Sequence, residues 1–330
     1  MGAAPLRIGI LGAARIAAGF CQGVAPSTAV QVTAVASRSA ERAAAFAQAH
    51  AIPRVLPDYD AVLGDAQVDA VYIPLSNDQH VPWALRALAA GKHVLCEKPM
   101  ALTVDDVDRL QAAAQAAGRV VLEAFPYRFQ PQTLELLARV RGGRIGALRQ
   151  LSGEFGFTLR NEADYRLDPA LGGGALWDVG VYPLSMIRAL TGRLPRTVHA
   201  SAHWGPGGAD HALAAVLSWD DGLMATVQCR FDALVHRHLR IVGSEGVLAC
   251  GFHNHVGPGQ DWIEVYRAYD GQREPVPQGN GFRLEAEALA ALARGEAAHP
   301  DWPTWAETRD TTRLVQALLR SAASGARVGP

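Results

Sequence analysis

Apolar and polar positions alternate in a regular way along the first third of the chain. Leu6–Leu11 is a short apolar run, and Arg15–Val24 repeats its apolar residues at helical spacing. Val30–Ala36 is apolar again, followed by the alanine-rich stretch Ala40–His50, which Ser39 can cap. The alternation continues through Val68–Ile73, Gln79–Ala90, His93–Cys96, Val104–Ala117 and Val120–Glu123. Strands that alternate with helices of this length predict a parallel sheet with right-handed crossovers. The run Ile8–Ala18, interrupted by Arg15, therefore reads as strand, turn and helix rather than the core of a secretory leader. Met1-Gly2 does not open a myristoylation signal, because Leu6 stands where serine or threonine is needed.

Beyond Glu123 the pattern changes. A helix at Gln132–Arg141 precedes a longer strand pattern at Ala147–Phe157, and a glycine-rich segment leads into a helix at Ala175–Leu190. Strand-like runs follow at Val198–Trp204, Leu213–Trp219, Met224–Phe231, Leu239–Val242 and Trp262–Tyr266, separated by turns such as Asp220-Asp221-Gly222. Helices at Arg283–Ala293 and Thr304–Ser321 finish the chain. The pattern predicts an α/β protein of two domains, residues 1–124 and 125–330, the second an α+β domain with a mostly antiparallel sheet.

Composition narrows the partners. A formal net charge of −1 over 330 residues gives no long-range pull toward nucleic acid or an anionic membrane. Small molecules and other copies of the chain remain. Cys21, Cys96, Cys229 and Cys250 are widely spaced, so neither a disulfide framework nor a zinc cluster is indicated and a reducing cytoplasm is expected. No apolar stretch reaches the roughly 18 residues of a membrane span. Of the 31 basic residues only Lys92 and Lys98 are lysines. Lysine can lend a proton where arginine cannot, which draws attention to both. The pairs His236/His238 and His253/His255 each place two imidazoles on one face of a strand, as zinc ligands would stand. No cysteine or carboxylate cluster accompanies them, and no metal is expected.

The first strand runs into Gly12-Ala13-Ala14-Arg15-Ile16-Ala17. A dinucleotide turn needs small residues where backbone nears pyrophosphate and where helix packs on strand. Only the first of the three usual glycines is present, so the same residues also fit an ordinary alanine-rich helix start. Their place on the first strand–helix turn, where free N–H groups and the helix dipole meet an anion, favours the nucleotide site. Past the second strand the chain reads Ala36-Ser37-Arg38-Ser39, with no carboxylate for a ribose 2′-hydroxyl. Ser37 and Arg38 suit a 2′-phosphate instead, which points to NADP.

The run Gly91-Lys92-His93-Val94-Leu95-Cys96-Glu97-Lys98-Pro99 resembles the signature of the Gfo/Idh/MocA oxidoreductases. Pro74-Leu75-Ser76-Asn77 with His80, Glu123–Phe129, and Gly172-Gly173-Gly174-Ala175-Leu176-Trp177-Asp178-Val179-Gly180-Val181-Tyr182 are similar to further segments of that family, in the same order. The resemblance implies a Rossmann doubly wound domain followed by a domain with a large open sheet. It also implies hydride exchange between NADP and a sugar or cyclic polyol. Arg166-Leu167-Asp168-Pro169 resembles the branch of NADP-dependent aldose and dihydrodiol dehydrogenases. By the same resemblance Gly12, Ala13, Ala14, Arg15, Ile16, Ser37, Arg38, Pro74, Leu75, Ser76, Asn77, His80, Glu97, Lys98 and Arg128 contact the cofactor. Lys98, Arg128, Asp178 and Tyr182 contact substrate, with Lys98 and Tyr182 as the catalytic pair and Asp178 beside them. An ammonium near a phenol favours the phenolate and fits tyrosine to carry a proton. Gln130 departs from the histidine that many relatives carry. Self-association as a homodimer or homotetramer through the second domain's sheet is expected. A keto-sugar or dihydrodiol reductase and a non-catalytic NADP-binding regulator remain as alternatives.

Overall fold

The computed structural model describes residues 4–268 and 270–330. They fall into two compact units. The first comprises the chain up to Ala101, Asp105–Phe129 and Asn280–Pro303. The second comprises Leu102–Val104, Gln130–Gly279 and Thr304–Pro330.

In the first unit β1 (Leu6–Leu11), α1 (Arg15–Val24), β2 (Val30–Ala36), α2 (Ala40–Ala49), α3 (Tyr59–Gly64), β3 (Ala70–Ile73), α4 (Asn77–Ala89), β4 (His93–Glu97), α5 (Val104–Ala117) and β5 (Val121–Ala124) follow in turn. The five strands pair in parallel in the order β2-β1-β3-β4-β5. Ile8, Ile10, Tyr72, Ile73 and Leu95 are fully buried, which is why these strands read as unbroken apolar runs rather than alternating ones. Helix α3 lay outside the expectation. Its six residues are too few to show a period, and Asp58 caps it by accepting from the Ala61 N–H at 2.7 Å.

The second unit begins with α6 (Pro131–Arg141) and β6 (Leu148–Gly156), then α7 (Val181–Thr191). Seven strands come next: β7 (Thr197–Trp204), β8 (Asp210–Ser218), β9 (Met224–Arg230), β10 (His236–Gly243), β11 (Val247–Cys250), β12 (His255–Val256) and β13 (Trp262–Arg267). After them stand β14 (Asp270–Pro275), β15 (Gly279–Asn280) and α9 (Trp305–Ser324), with α8 (Gly281–Ala293) of the first unit lying in sequence before α9. The large sheet runs β14-β13-β11-β10-β6-β9-β8-β7 and is antiparallel except where β6 meets β9. Helices α7 and α9 pack on one face. The strands alternate accordingly: Ala225, Val227 and Cys229 are buried, while Met224 and Gln228 are exposed. Helix α9 starts at a capping box in which the Thr304 side chain and Glu307 satisfy each other's backbone N–H.

Two differences from the sequence expectation matter. The division at residue 124 does not follow the compact units, because Asn280–Pro303 returns to the first. Helix α8 places Phe282, Ala286 and Leu289 in the same core as Ile8, Ile10, Tyr72 and Leu95. Alternation along the chain carries no sign of such a return. The helix expected over Ala175–Leu190 is also not uniform. It opens with a π-helical turn, Leu176–Gly180, before α7, and it ends at Gly192 with φ 69°.

Candidate functional site

A parallel sheet puts the carboxyl ends of its strands along one edge, where α/β proteins bind ligands. Gly12 follows β1, Ser37 and Arg38 follow β2, Pro74–Asn77 follow β3, and Lys98 follows β4. These residues thus gather at that edge although they lie far apart in sequence. Gly12 has φ +115°, and a Cβ there would stand 3.0 Å from Leu75 Cδ2 and 3.6 Å from the Tyr59 hydroxyl. The missing side chain keeps the turn open to a backbone-bound anion. Helix α1 begins at Ala14 with no side-chain cap and no acid in its first turn, and Arg15 and Ile16 are exposed there. Ala13 and Ala14 are partly buried beside them. Arg38 is exposed and Ser37 half-buried. Arg42 reaches back from α2 to donate to Ala13 O at 3.2 Å. Burial raises the Tyr59 phenol, while Arg38 and Arg42 pull it the other way, so both guanidinium groups lie close to it. This arrangement fits a dinucleotide carrying a 2′-phosphate. Arg42 and Tyr59 escaped sequence analysis because one sits inside a helix and the other in an unforeseen one.

Three residues expected on the cofactor are buried. His80 is fully buried, with Nδ1 2.8 Å from Pro99 O and Nε2 3.0 Å from Leu75 O. Burial lowers its pKa despite the two carbonyls, and Lys98 lowers it further. A neutral ring has one N–H and can donate to only one of the two carbonyls. His80 therefore stands between the Leu75 carbonyl and the segment beside Lys98. Glu97 accepts from the buried Tyr72 hydroxyl at 2.6 Å. Arg128 is 1 % exposed and donates to Asp301 O at 3.2 Å. Pro74 and Asn77 are also buried, whereas Leu75, Ser76 and Lys98 are partly exposed.

Behind Glu97 lies a carboxyl the sequence did not announce. Glu285 on α8 is 0 % exposed, and neither of its oxygens has a hydrogen-bond partner. Burial pushes it well above the ordinary carboxylate range, and Glu97 pushes the same way. A group raised in the folded state stabilises the fold below its unfolded pKa and loses that contribution as pH rises toward its folded value. Glu285→Gln removes the loss. The melting temperature of Glu285→Gln minus that of the parent should therefore grow between pH 5 and 8, by up to about 3 °C per pH unit. Identical pH dependence in both proteins would show that Glu285 ionises freely.

The second unit holds Asp178 and Tyr182 on one helical run. Tyr182 is 6 % exposed, its ring set edge-on to Phe155 at 5.0 Å and Phe252 at 6.4 Å. Asp178 lies 2.9 Å from Arg166 Nε, an ion pair whose angle is not that of a hydrogen bond. Arg166 also donates to Asp164 at 3.1 Å. Burial opposes its charge, but Asp178, Tyr165 and Asp164 outweigh burial and raise its pKa. Asp178 is thus paired with Arg166. Gln130 and Gln132 donate to His253 O at 3.3 Å and to Gln260 O and Trp262 O at 2.8 and 2.7 Å. These amides hold the segment that carries Phe252.

The large sheet carries a cavity of about 640 Å³, lined by Glu154, Gln228, His236, His238, His253 and Trp262 among others. Tyr182 and Asp178 are not in its lining. Burial, then Arg237 and His238, lower His253 to about 4, so it is neutral at physiological pH. Among the described residues no three His, Cys, Asp or Glu side chains are placed to hold a metal ion. No helix among them is long and apolar enough to cross a membrane.

Comparison with known proteins agrees with this geometry. Residues 6–125 match the oxidoreductase family with an NAD-binding Rossmann fold, and residues 133–249 match the GFO/IDH/MocA C-terminal domain. A D-xylose 1-dehydrogenase (NADP(+)) of Haloferax volcanii is 34% identical over 98% of this chain and 99% of its own length. A trans-1,2-dihydrobenzene-1,2-diol dehydrogenase of Danio rerio is 29% identical over 96% and 98%. The crystal structure of a 3-ketoreductase from Actinomadura kijaniata, in complex with NADP and TDP-benzene, superposes with a TM-score of 0.87 at 27% identity, covering 96% of this chain and 98% of that one. With both domain matches in chain order and relatives aligned along nearly its whole length, the chain belongs to the Gfo/Idh/MocA family of oxidoreductases.

Proposed function

We propose that this enzyme is an NADP-dependent dehydrogenase of sugars or cyclic polyols, oxidising an aldose such as D-xylose or D-glucose at its anomeric carbon. The observation that carries the reading is the carboxyl edge of the parallel sheet. There an acid-free tip of β2 bearing Arg38, an open turn at Gly12 after β1 and the ammonium of Lys98 after β4 stand along one edge. The xylose dehydrogenase among its relatives supports the substrate class. Nicotinamide, when bound, supplies the hydride acceptor. The protein supplies the proton chemistry: Tyr182 takes the proton from the carbinol oxygen, Lys98 stabilises negative charge on that oxygen, and Asp178, fixed by Arg166, orients the sugar.

Reduction of NADP by D-xylose, then D-glucose, followed by absorbance, tests this reading. Turnover with either sugar supports it. Silence with every free aldose, in a protein that still binds NADPH, would overturn it in favour of a keto-sugar or dihydrodiol reductase. Silence with those substrates too would favour a regulator. For the cofactor, Arg38→Ala should reduce the preference for NADP over NAD roughly 10- to 100-fold, the worth of one charge-assisted hydrogen bond to phosphate. An unchanged ratio of the two efficiencies would remove Arg38 from phosphate recognition.

Self-association through the large sheet belongs to the same proposal. The face opposite α7 and α9 exposes Met224 and Val216, 48% and 36% accessible. Sedimentation showing only monomer at micromolar concentration would contradict a dimer or tetramer. A reducing cytoplasm is the proposed setting, with Cys21, Cys96, Cys229 and Cys250 as buried thiols.

A further inference from the structure

We propose that Asp210 is a positioning residue for the helix that bears Asp178 and Tyr182: from the start of β8 its carboxylate caps the head of that helix and so sets where both side chains stand. The inference rests on the reading of Tyr182 as proton carrier.

The helix has no cap of its own. Ala175 precedes it and offers no side-chain acceptor. The N–H of Leu176, the first residue of the π-helical turn, donates to Asp210 Oδ2 at 2.8 Å, across 34 residues of sequence. The next anchor is main chain, with the Asp178 N–H donating to Gly174 O at 3.0 Å. Asp210 is 2 % exposed, so water does not replace it. The chain makes room for it at Gly174, where φ is +119° and a Cβ would collide with Asp210 Oδ1. A negative charge at a helix N-terminus also meets the positive end of the helix dipole. Two residues on from Leu176 comes Asp178, and six on comes Tyr182, so a shift at the head moves both.

The groups around Asp210 are few. Cys229 on β9 is a buried thiol that both Asp210 and Asp178 push up after burial itself, and Asp178 is paired with Arg166. His211, the next residue along β8, lies over Gly205 instead. Burial lifts Asp210 to about 7 against the pull of the backbone N–H of Leu176 and its own. Its charge therefore changes within the physiological range, and the cap weakens as pH falls.

Two variants test the idea. Asp210→Ala removes the acceptor, whereas Asp210→Asn keeps an acceptor oxygen and removes the titration. Hydrogen exchange of the peptide over residues 174–182 should rise at least about 10-fold in Asp210→Ala. Its kcat should fall by about 30-fold or more with NADPH affinity unchanged, because small displacements of a reacting group are costly. Asp210→Asn should restore slow exchange and most of kcat, and it should lose the part of the kcat decline between pH 8 and 6 that this carboxyl causes. Unchanged exchange in Asp210→Ala would overturn the proposal. So would an Asp210→Asn protein whose exchange is fast, or whose pH dependence matches the parent's. Should Asp210→Ala not fold, the Asn variant decides alone by the last two criteria. The exchange measurement needs no turnover, so an inert parent would count against the sugar dehydrogenase and leave this inference to be judged by exchange.

Discussion

Replacing Lys98 with methionine is expected to lower turnover by about 10³-fold or more while leaving NADPH affinity within about threefold. Methionine keeps the length and apolar stem of lysine, so the end of β4 should hold its shape. What disappears is the ammonium, and with it the charge that stabilises a developing alkoxide and favours the phenolate of a proton carrier. The other contacts proposed for the nucleotide, at Gly12, Arg38 and the Leu75–Asn77 turn, do not depend on that charge. Lysine at this place is also unusual for a chain that writes almost all of its basic surface in arginine. A fluorescence titration with NADPH beside a steady-state assay separates the two effects. A variant that kept more than a tenth of parental turnover would take Lys98 out of the chemistry. One that lost NADPH binding as well would make Lys98 a binding residue only.

Tyr182→Phe is the second large effect, a fall in kcat of about 10²- to 10⁴-fold, the usual worth of a positioned acid or base. Phenylalanine preserves the edge-on contacts with Phe155 and Phe252, so the melting temperature should stay close to the parent's. Only the hydroxyl is lost. The fall should appear in kcat with the sugar's KM little changed, and the pH profile should lose the limb that reports the phenol. A drop in melting temperature that matched the loss of activity would point to packing instead. Undiminished activity would assign the proton to another group.

Much of this molecule was legible in the order of its residues, for physical reasons that also explain what was not. The strands β1 to β5 are buried on both sides, so nothing polar interrupts them and each stands out between periodic helices. The open sheet showed itself through alternation in β9, where one face is covered and the other is not. Strand β14 carried no such signal: most of its residues are exposed, and it exists because it pairs with β13. The return of α8 to the first unit could not be read at all, since its apolar face fits any core equally well.

The site divides in the same way. Gly12, Arg38, Lys98, Asp178 and Tyr182 were legible as candidates because short contiguous motifs carry them. Arg42, Tyr59, Glu285 and Asp210 were not, because each acts across a distance that only the fold closes. His80, Glu97 and Arg128 share motifs with residues of the proposed site, and their side chains are buried. Sequence proximity to a motif thus names candidate residues without fixing the direction of each side chain.

The most direct test of the central claim follows the hydrogen itself. D-xylose carrying deuterium at its anomeric carbon would be oxidised with NADP, and the reduced nucleotide analysed by mass. Direct hydride transfer predicts one deuterium in the reduced nicotinamide for each sugar oxidised. Reduced nucleotide free of deuterium, or no reduction of NADP by any sugar or polyol, would contradict it.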